Sequence, residues 1–175
     1  MNFKVKKSDI LFRGKVFNLQ VDEIQYDSGN SSVREVAVHP GGAVIVPVTE
    51  DGKIVMVKQF RYPFQKELLE LPAGKLETGE DPSNCAVREL EEETGYKSNN
   101  VQKLGIMYTA PGYSSEVLHI YSAENLEQGT INREEGEDGM QVFEFSPKEI
   151  EDKIINGEIV DGKTICGIFL FKNKK

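Results

Sequence analysis

The sequence predicts a mixed α/β domain, in which helices pack on a largely antiparallel or mixed β-sheet. Three observations support this class. Runs of β-branched residues, separated by turn residues, recur through the first two thirds of the chain. An acidic stretch in the middle of the chain carries the start and stop signals of a helix. Two further segments near the C-terminal end have helical patterns.

The strand patterns begin in the N-terminal part of the chain. The segment "GKVFNLQVDEIQYDSGNSSVREVAVHP" predicts two or three strands around the turn "DSGNS". We expect residues 1–40 to form a separate layer of antiparallel strands, followed by a main domain at residues 41–175. Two β-branched runs, at residues 43–48 and 54–57, flank a Glu-Asp-Gly turn and predict a hairpin. A short strand, "ELLEL", ends at Pro72.

The acidic stretch has the punctuation of one helix. Asp81 is a good N-cap, Pro82 suits the first turn, and Gly95 is a typical C-terminal stop. The predicted helix therefore runs from about residue 82 to residue 94. At about 100° per residue, Glu89, Glu92 and Glu93 fall within an arc of about 100° on its surface.

These carboxylates raise a question of charge. Glu89 and Glu93 form a like-charge pair at i,i+4, which destabilises a helix by a few tenths of a kcal/mol. The simple interpretation is a solvated acidic face. The alternative is a divalent cation, because carboxylate and carbonyl oxygens are hard ligands that suit Mg²⁺ or Mn²⁺. A bound cation would convert the repulsion into coordination.

The remaining elements follow the acidic helix. "VQKLGIMYTA", "EVLHIYSA" and "MQVFEFS" predict strands. Ser146 and Glu149 form a capping box for a helix through about Asn156. "GKTICGIFLFK" has the apolar spacing of a last helix, with a strand as the alternative.

Composition limits the classes of function. The 175 residues carry a formal net charge of −8 and show no basic stripe, so we expect no nucleic-acid partner. No apolar run approaches the roughly 20 residues that span a bilayer, and we expect no membrane association. The N-terminal segment lacks the apolar core of a signal peptide, and two cysteines, Cys85 and Cys166, make no disulfide framework. We therefore expect a cytoplasmic protein.

Residues 74–96 resemble the Nudix box, G-x5-E-x7-R-E-U-x-E-E-x-G-U, where U is an aliphatic residue. Only the last position departs, with Tyr96 where an aliphatic residue is usual. Because that position packs and does not react, the departure leaves the expected chemistry unaffected. The matching residues are Gly74, Glu80, Arg88, Glu89, Leu90, Glu92, Glu93 and Gly95.

The resemblance implies a fold and a reaction. The fold is an α/β/α sandwich around a mixed sheet. The reaction is hydrolysis of a nucleoside diphosphate linked to another group, assisted by two or three Mg²⁺ ions, with Mn²⁺ possible. The implied metal ligands are Glu89 and Glu93, with Glu92 assisting, and the backbone carbonyl of Ala73.

Two further residues of the box have implied supporting roles. Arg88 would orient the glutamates through its guanidinium group rather than touch the substrate. Glu80 would either reach a metal through water or hold its own loop, and the sequence leaves both readings open.

The flanking sequence resembles the ADP-ribose pyrophosphatase branch of this family, over nearly the whole chain. Pro111 lies sixteen positions after Gly95, and "VKQFRYPFQKELLELPAGKLETGE" also matches that branch. The implied reaction converts ADP-ribose or related ADP-sugars to AMP and ribose 5-phosphate. The alternatives are another nucleotide substrate, such as a GDP-sugar or an oxidised nucleotide, and a Nudix-fold module that binds a ligand without chemistry.

The branch also implies a homodimer whose N-terminal strands exchange and whose adenine pocket draws on both subunits. Phe17 would stack on adenine, Arg34 and Arg61 would contact base or phosphate, and Glu70 would bind the terminal ribose or a metal-bound water. Glu116 would face the same site. The structural alternatives are a core aromatic for Phe17, a strand-edge charge for Arg34 and a turn proline for Pro111.

The general base is expected on the acidic loop "REEGEDG". By resemblance, Glu135 is the base and Glu137 is an additional metal ligand. Glu134 and Asp138 remain open alternatives for the base, because the alignment can slip here by one or two positions. A loop that is merely solvated is the structural alternative.

Overall fold

The computed structural model describes residues 2–133 and 139–174. Its internal contacts divide the chain into two compact units. Unit one contains Met1–Gly41 and Tyr108–Val117, and unit two contains Gly42–Met107 and Leu118–Lys175. In the described residues, no helix has both the length and the apolar character needed to cross a membrane.

Unit one is built on a three-stranded antiparallel sheet in the order β1-β2-β3. Its strands are β1 (Phe3–Arg13), β2 (Asn18–Tyr26) and β3 (Ser31–Val38). The segment from residue 108 to residue 117 joins this sheet at Ala37, whose N–H donates to the carbonyl of Tyr113 at 2.7 Å. Strand β1 was not recognised in the sequence, because its lysines interrupt the apolar pattern and most of its side chains are exposed.

Unit two contains the other strands and the three helices of the described residues. Its strands are β4 (Gly42–Pro47), β5 (Ile54–Arg61), β6 (Lys66–Glu70), β7 (Ala73–Lys75), β8 (Tyr96–Lys97), β9 (Asn100–Tyr108), β10 (Val117–Glu124), β11 (Glu127–Gln128) and β12 (Gln141–Phe145), the residues at the ends of β9 and β10 being shared with unit one. Its helices are α1 (Pro82–Thr94), α2 (Pro147–Ile155) and α3 (Gly162–Lys172).

The central sheet of unit two is mixed. Its strand order is β7-β4-β10-β9, with β10 parallel to β4 and β7 antiparallel to β4. An antiparallel sheet, β12-β5-β6, and a short pair, β11-β8, complete the unit.

Strand β4 separates two apolar cores. Val44 and Val46 belong to the core that includes Ile150 of α2 and Ile168 of α3. On the opposite face, Ala43 and Ile45 belong to the core that includes Cys85, Ala86 and Leu90 of α1. Since successive side chains of a strand point to opposite faces, both faces of the sheet are covered by helices. The expected α/β/α sandwich around a mixed sheet is confirmed.

The predicted hairpin between residues 43–48 and 54–57 is wrong. The turn does form, because Thr49 N–H donates to the carbonyl of Lys53 at 2.9 Å and a single bridge joins Val48 to Ile54. Beyond that bridge the strands diverge: β4 pairs with β7 and β10, whereas β5 pairs with β6 and β12. Both runs are continuously apolar, and the strands they form are buried along most of their length, β4 in one sheet and β5 in another.

The helix predictions are confirmed. Asp81 accepts a hydrogen bond from the N–H of Ser83 at 2.8 Å, and Gly95 ends α1 with a φ of 76°. Ser146 and Glu149 form both hydrogen bonds of the capping box of α2. The segment with two readings, "GKTICGIFLFK", is helix α3, with Asp161 as its N-cap.

Candidate active site

Helix α1 presents two buried carboxylates on one side. Glu89 is 8% exposed and Glu93 is 1% exposed, and they lie one helical turn apart. Glu93 Oε2 accepts the N–H of Ala73 at 3.1 Å, so the carboxylate is tied to the start of β7. Burying two carboxylates together is costly unless cationic groups compensate for them. The cationic side chains around α1 therefore belong to the site, because they compensate the buried negative charge.

Gly74 gives Glu89 its place. A Cβ atom at residue 74 would lie 1.8 Å from Glu89 Oε1 and 2.0 Å from Glu89 Cδ. No heavy atoms approach that closely without a covalent bond, so any residue with a side chain must displace the carboxylate or the strand. Glu89 therefore fits only if the first position of the motif, fifteen residues earlier, is a glycine.

Arg88 is the cation that gathers the carboxylates of α1. Its Nη1 donates to Glu89 Oε1 at 2.6 Å and to Glu92 Oε2 at 3.0 Å. Its Nε and Nη2 donate to the two oxygens of Glu80 at 3.0 and 3.1 Å. These are the contacts of an arginine that orients carboxylates, since its planar group can serve several acceptors at fixed angles.

Glu80 joins the loop before α1 to this cluster. Besides Arg88, its carboxylate accepts the N–H of Glu77 at 2.9 Å. The hydrogen bond from Arg88 holds the pKa of Glu80 below its ordinary value, against the opposing effect of partial burial. Of the two readings left open by the sequence, these contacts favour a residue that holds the loop.

The donor set of α1 fits a hard divalent cation. It consists of carboxylate oxygens, with a backbone carbonyl available at Ala73. In the parts of the chain that the structure describes, however, no group of three or more His, Cys, Asp or Glu side chains converges in a way that could hold a metal. Arg88 Nη1 lies 2.6 Å from Glu89 Oε1 and 3.0 Å from Glu92 Oε2. The expected base Glu135, the expected ligand Glu137, and the alternatives Glu134 and Asp138 lie outside the described residues.

Arg61 and Glu70, both predicted to bind substrate, contact each other. Arg61 donates from Nε and Nη2 to the two oxygens of Glu70 at 2.8 and 2.6 Å. This hydrogen bonding raises the pKa of Arg61 against the opposing effect of burial, and the charges of Glu70, Glu93 and Asp161 add to the rise. Arg61 is thus within electrostatic reach of α1, and its side chain is still 38% exposed.

The other predicted substrate residues lie in unit one. Phe17 is 44% exposed and packs at a tilt against Phe12, with the ring centroids 6.5 Å apart. Arg34 donates to Ser32 Oγ at 2.8 Å and to the hydroxyl of Tyr26. Phe17 is therefore no core aromatic in the described chain.

The loop of Pro111 also belongs to unit one. Pro111 is exposed at the start of a turn, and Glu116 accepts from Thr109 Oγ1 at 2.7 Å. The Nδ1 atom of His39 lies 3.4 Å from Glu116 Oε1. The substrate roles of Phe17, Arg34, Pro111 and Glu116 stay predictions.

Sequence reasoning missed Lys163, which donates to Glu70 and to Asp161 Oδ2, the latter at 2.9 Å. The local signal D-x-x-T at the start of α3 could have identified Asp161 as an N-cap. Nothing in the sequence could have paired Lys163 with Glu70, because 93 residues separate them.

Arg133 was also missed. Its Nε and Nη2 donate to the carbonyl of Glu93 at 3.1 and 2.7 Å, and its Nη1 donates to the carbonyl of Met140 at 2.7 Å. A cation at the C-terminal turn of α1 complements the helix dipole and satisfies a carbonyl that the helix leaves open. Asn132 adds an N–H bond to the carbonyl of Glu92 at 3.2 Å.

Comparisons with known proteins identify relatives over most of the chain. The model of the NUDIX domain matches residues 38–165. An ADP-ribose pyrophosphatase of Bacillus subtilis (strain 168) is 42% identical over 159 residues, which cover 90% of this chain and 86% of that protein. A methanol dehydrogenase activator of Bacillus methanolicus is 39% identical, with 94% and 90% of the two chains covered. An ADP-ribose pyrophosphatase of Mycobacterium tuberculosis (strain ATCC 25618 / H37Rv) is 36% identical, with 95% and 82% covered.

A solved structure described as an ADP compounds hydrolase has the same fold. It superposes with a TM-score of 0.87 at 19% identity, and the match covers 98% of this chain and 93% of the other. The match of the domain model extends over most of the chain and includes the whole of α1 with its carboxylates. On these grounds the chain belongs to the Nudix family.

Proposed function

We propose that this protein hydrolyses the pyrophosphate bond of ADP-ribose and related ADP-sugars, with Mg²⁺ as its cofactor, to release AMP and ribose 5-phosphate. The observation that carries the proposal is the 42% identity to an ADP-ribose pyrophosphatase over 90% of the chain. The presence of Glu89, Glu92 and Glu93 supports catalysis rather than ligand binding alone, because a non-catalytic module would not need these acids.

The metal would be held by the carboxylates of Glu89, Glu92 and Glu93, the carbonyl of Ala73 and, in our proposal, Glu137. Two or three Mg²⁺ ions, or Mn²⁺ ions, would neutralise charge on the phosphate oxygens and lower the pKa of the attacking water. Arg88 keeps the acids of α1 in register, and the N–H of Ala73 holds Glu93 against β7.

In the proposed reaction, Glu135 takes a proton from water as the oxygen attacks one phosphorus of the diphosphate. The P–O bond to the bridging oxygen breaks, and the bridging oxygen leaves with the other phosphate. Arg61 pairs with Glu70, is 38% exposed and interacts electrostatically with Glu93, and a cation there would balance the phosphate charge.

We further propose that the protein is a homodimer formed through unit one. In the described residues, strands β1 to β3 and the connection between β1 and β2, where Val16 lies, leave six large apolar side chains more than half exposed, which is unusual for a surface that only meets water. These are Phe3, Val5, Leu11, Phe12, Val16 and Val33. A second copy would cover them, and Phe17 and Arg34 would then contribute to an adenine pocket at that interface. Light scattering coupled to size exclusion should give twice the mass of one chain.

The cytoplasm is the compartment we propose, since reduced thiols at Cys85 and Cys166 suit it. No nucleic acid or membrane is included among the proposed partners.

The test of the activity is AMP release from ADP-ribose by the purified protein with Mg²⁺, followed by chromatography. We expect turnover with Mg²⁺ and none after chelation by EDTA. Glu93→Gln is expected to remove most activity while the fold stays near intact. Folded wild-type protein that releases no AMP would refute the proposal.

The substrate alternatives need a comparison of rate constants. Values of kcat/KM for ADP-ribose, a GDP-sugar and an oxidised nucleotide separate them, because specificity is a ratio of such constants. A higher value for either alternative would replace ADP-ribose as the assigned substrate. Binding of nucleotide and metal without hydrolysis would instead indicate a ligand-binding module.

A further inference from the structure

The first turn of α3 is hydrogen-bonded to Leu71, which follows strand β6 and lies just before the candidate metal site. Thr164 is fully buried, and its Oγ1 accepts the N–H of Leu71 at 2.9 Å. The same hydroxyl donates to Asp161 Oδ2 at 2.6 Å, so the N-cap of α3 fixes its orientation. Leu71 lies two residues before Ala73, whose N–H binds Glu93.

Lys163 acts on the adjacent residue, Glu70. Its ammonium group contacts Glu70 and, at 2.9 Å, Asp161. Glu70 is 1% exposed and also receives two hydrogen bonds from Arg61. The four side chains carry two positive and two negative charges, so the group is neutral as a whole. Glu70 is the buried member of this group, so removal of either of its cations leaves part of its charge uncompensated, which is unfavourable.

Burial alone would raise the pKa of Asp161, but the charge of Lys163 and the hydrogen bonds from Thr164 outweigh it and lower the pKa. Asp161 is therefore a carboxylate at neutral pH and is able to hold Lys163 in place. Lys163 itself is only 13% exposed, which is low for a lysine. The contact with Asp161 thus helps to hold the ammonium group of Lys163 against Glu70.

Two routes lead from this turn to α1. The first passes from Thr164 through Leu71 to Ala73 and Glu93. The second passes from Lys163 through Glu70 to Arg61, whose pKa is raised in part by the charge of Glu93. Both end at the same buried carboxylate.

We propose that Lys163 is a positioning residue for the hydrolysis: its ammonium holds Glu70, and thereby fixes Arg61 and the segment 71–73 that meets Glu93. The effect on hydrolysis rests on the proposed function. The claim that Lys163 holds Glu70 and the segment 71–73 in place does not depend on it. The competing account is an ion pair that contributes stability and leaves turnover per folded molecule unchanged.

The experiment compares Lys163→Met, Lys163→Arg and the control Lys148→Met. Lys148 also pairs with an aspartate, at 2.5 Å, but its side chain is 74% exposed on α2. Hydrogen exchange of the segment 68–75 is measured without substrate, and steady-state kinetics are measured with ADP-ribose and Mg²⁺. Thermal unfolding fixes a temperature at which every variant is folded.

We expect Lys163→Met to exchange faster at 68–75 and to lose about tenfold or more in kcat, with a smaller change in KM, because a misplaced supporting group costs turnover. Lys163→Arg restores both readouts, since a guanidinium keeps the charge and the donors. Lys148→Met behaves as the wild type. Normal kcat in folded Lys163→Met overturns the proposal whatever its exchange rate, as does a Lys163→Arg variant as impaired as Lys163→Met.

A double variant covers the case in which Lys163→Met does not fold. Glu70→Gln with Lys163→Met removes one charge of each sign, and it is expected to lose no more activity than Glu70→Gln alone. Additive losses overturn the proposal. If the wild type hydrolyses no nucleotide while Lys163 still protects residues 68–75 from exchange, the proposed function fails and the positioning of this segment by Lys163 stands.

Discussion

The carboxylate of Glu89 lies against the backbone of Gly74 so closely that a Cβ atom at residue 74 would fall 1.8 Å from Oε1. The contact joins β7 to α1 and holds Glu89, a candidate metal ligand, against the residue that follows Ala73, whose carbonyl is another candidate ligand. Helix α1 thus packs against β7 at a residue, Gly74, that has no side chain.

Gly74→Ala is therefore expected to displace Glu89. Overpacking of this kind costs about 1–3 kcal/mol of folding free energy. A shift of about 1 Å in a catalytic group costs about a hundredfold in rate, so kcat should fall by about that factor. Chemical denaturation and kinetics measure the two effects separately.

The matched control is Gly162→Ala at the start of α3, because among the described residues no atom beyond its chain neighbours and its own helix backbone lies within 4 Å of a Cβ atom there. It should keep activity and stability near those of the wild type. A Gly74→Ala variant with wild-type kcat would mean that Glu89 does not need its present position.

Arg88→Met is expected to release the carboxylates of Glu80, Glu89 and Glu92 together. Loss of a group that orients metal ligands costs about tenfold to a hundredfold in metal affinity or activity. The measurement is the Mg²⁺ dependence of kcat, with Lys148→Met as the control for a lost surface cation. An unchanged Mg²⁺ requirement at full activity would contradict the orienting role.

Arg88→Met should also change how the free energy of unfolding falls as the pH is lowered, which is called here the acid limb. Arg88 holds the pKa of Glu80 below its ordinary value of 4.5. A depressed pKa in the folded state contributes stability above the unfolded-state pKa, and that contribution is lost as the pH falls through the folded-state pKa. Between pH 5 and pH 3, as rough limits, Arg88→Met should therefore lose stability less steeply than the wild type. Parallel acid limbs in urea titrations would be evidence against this linkage.

The limits of α1 could be predicted residue by residue because its signals are local. Asp81, Pro82 and Gly95 each act within one turn of the helix end, where the backbone needs a cap or a left-handed residue. The resemblance to the Nudix box then depended on the same local stretch. For these reasons the helix and its carboxylates were accessible from the sequence.

The features that sequence reasoning missed depend on partners far along the chain. The turn between β4 and β5 was recognised, but the pairing of each strand depends on β6, β7, β10 and β12. Lys163 reaches Glu70 only because the first turn of α3 lies at the end of β6, and no periodicity encodes that contact. Arg61 and Glu70 are only nine residues apart, on the paired strands β5 and β6, but each was expected to meet substrate rather than the other.

Cys85 provides a test of the packing beneath the site. It is fully buried on α1, and burial raises the pKa of its thiol to about 12, with the charges of Glu89 and Glu80 adding to the rise. Since the thiolate is the reactive form, iodoacetamide at pH 8 should label Cys85 very slowly in the folded protein. Peptide mass spectrometry measures the rate, and labelling in urea gives the reference for an open chain. Rapid labelling in the folded state would show that the core beneath α1 opens.

Arg133→Met tests the attachment at the C-terminal end of α1. To partners within the described residues, Arg133 donates two hydrogen bonds to the carbonyl of Glu93 and one to the carbonyl of Met140. Hydrogen bonds from charged groups contribute about 1.5–3 kcal/mol, and the variant should lose stability in that range. Because the carbonyl belongs to Glu93, the last turn of α1 should also loosen, and hydrogen exchange of residues 90–95 should become faster. Arg133→Lys supplies the charge without the fork of donors and should recover the stability only in part. If Arg133→Met has the stability and exchange of the wild type, the end of α1 is held by its glycine cap and the bond from Asn132 instead.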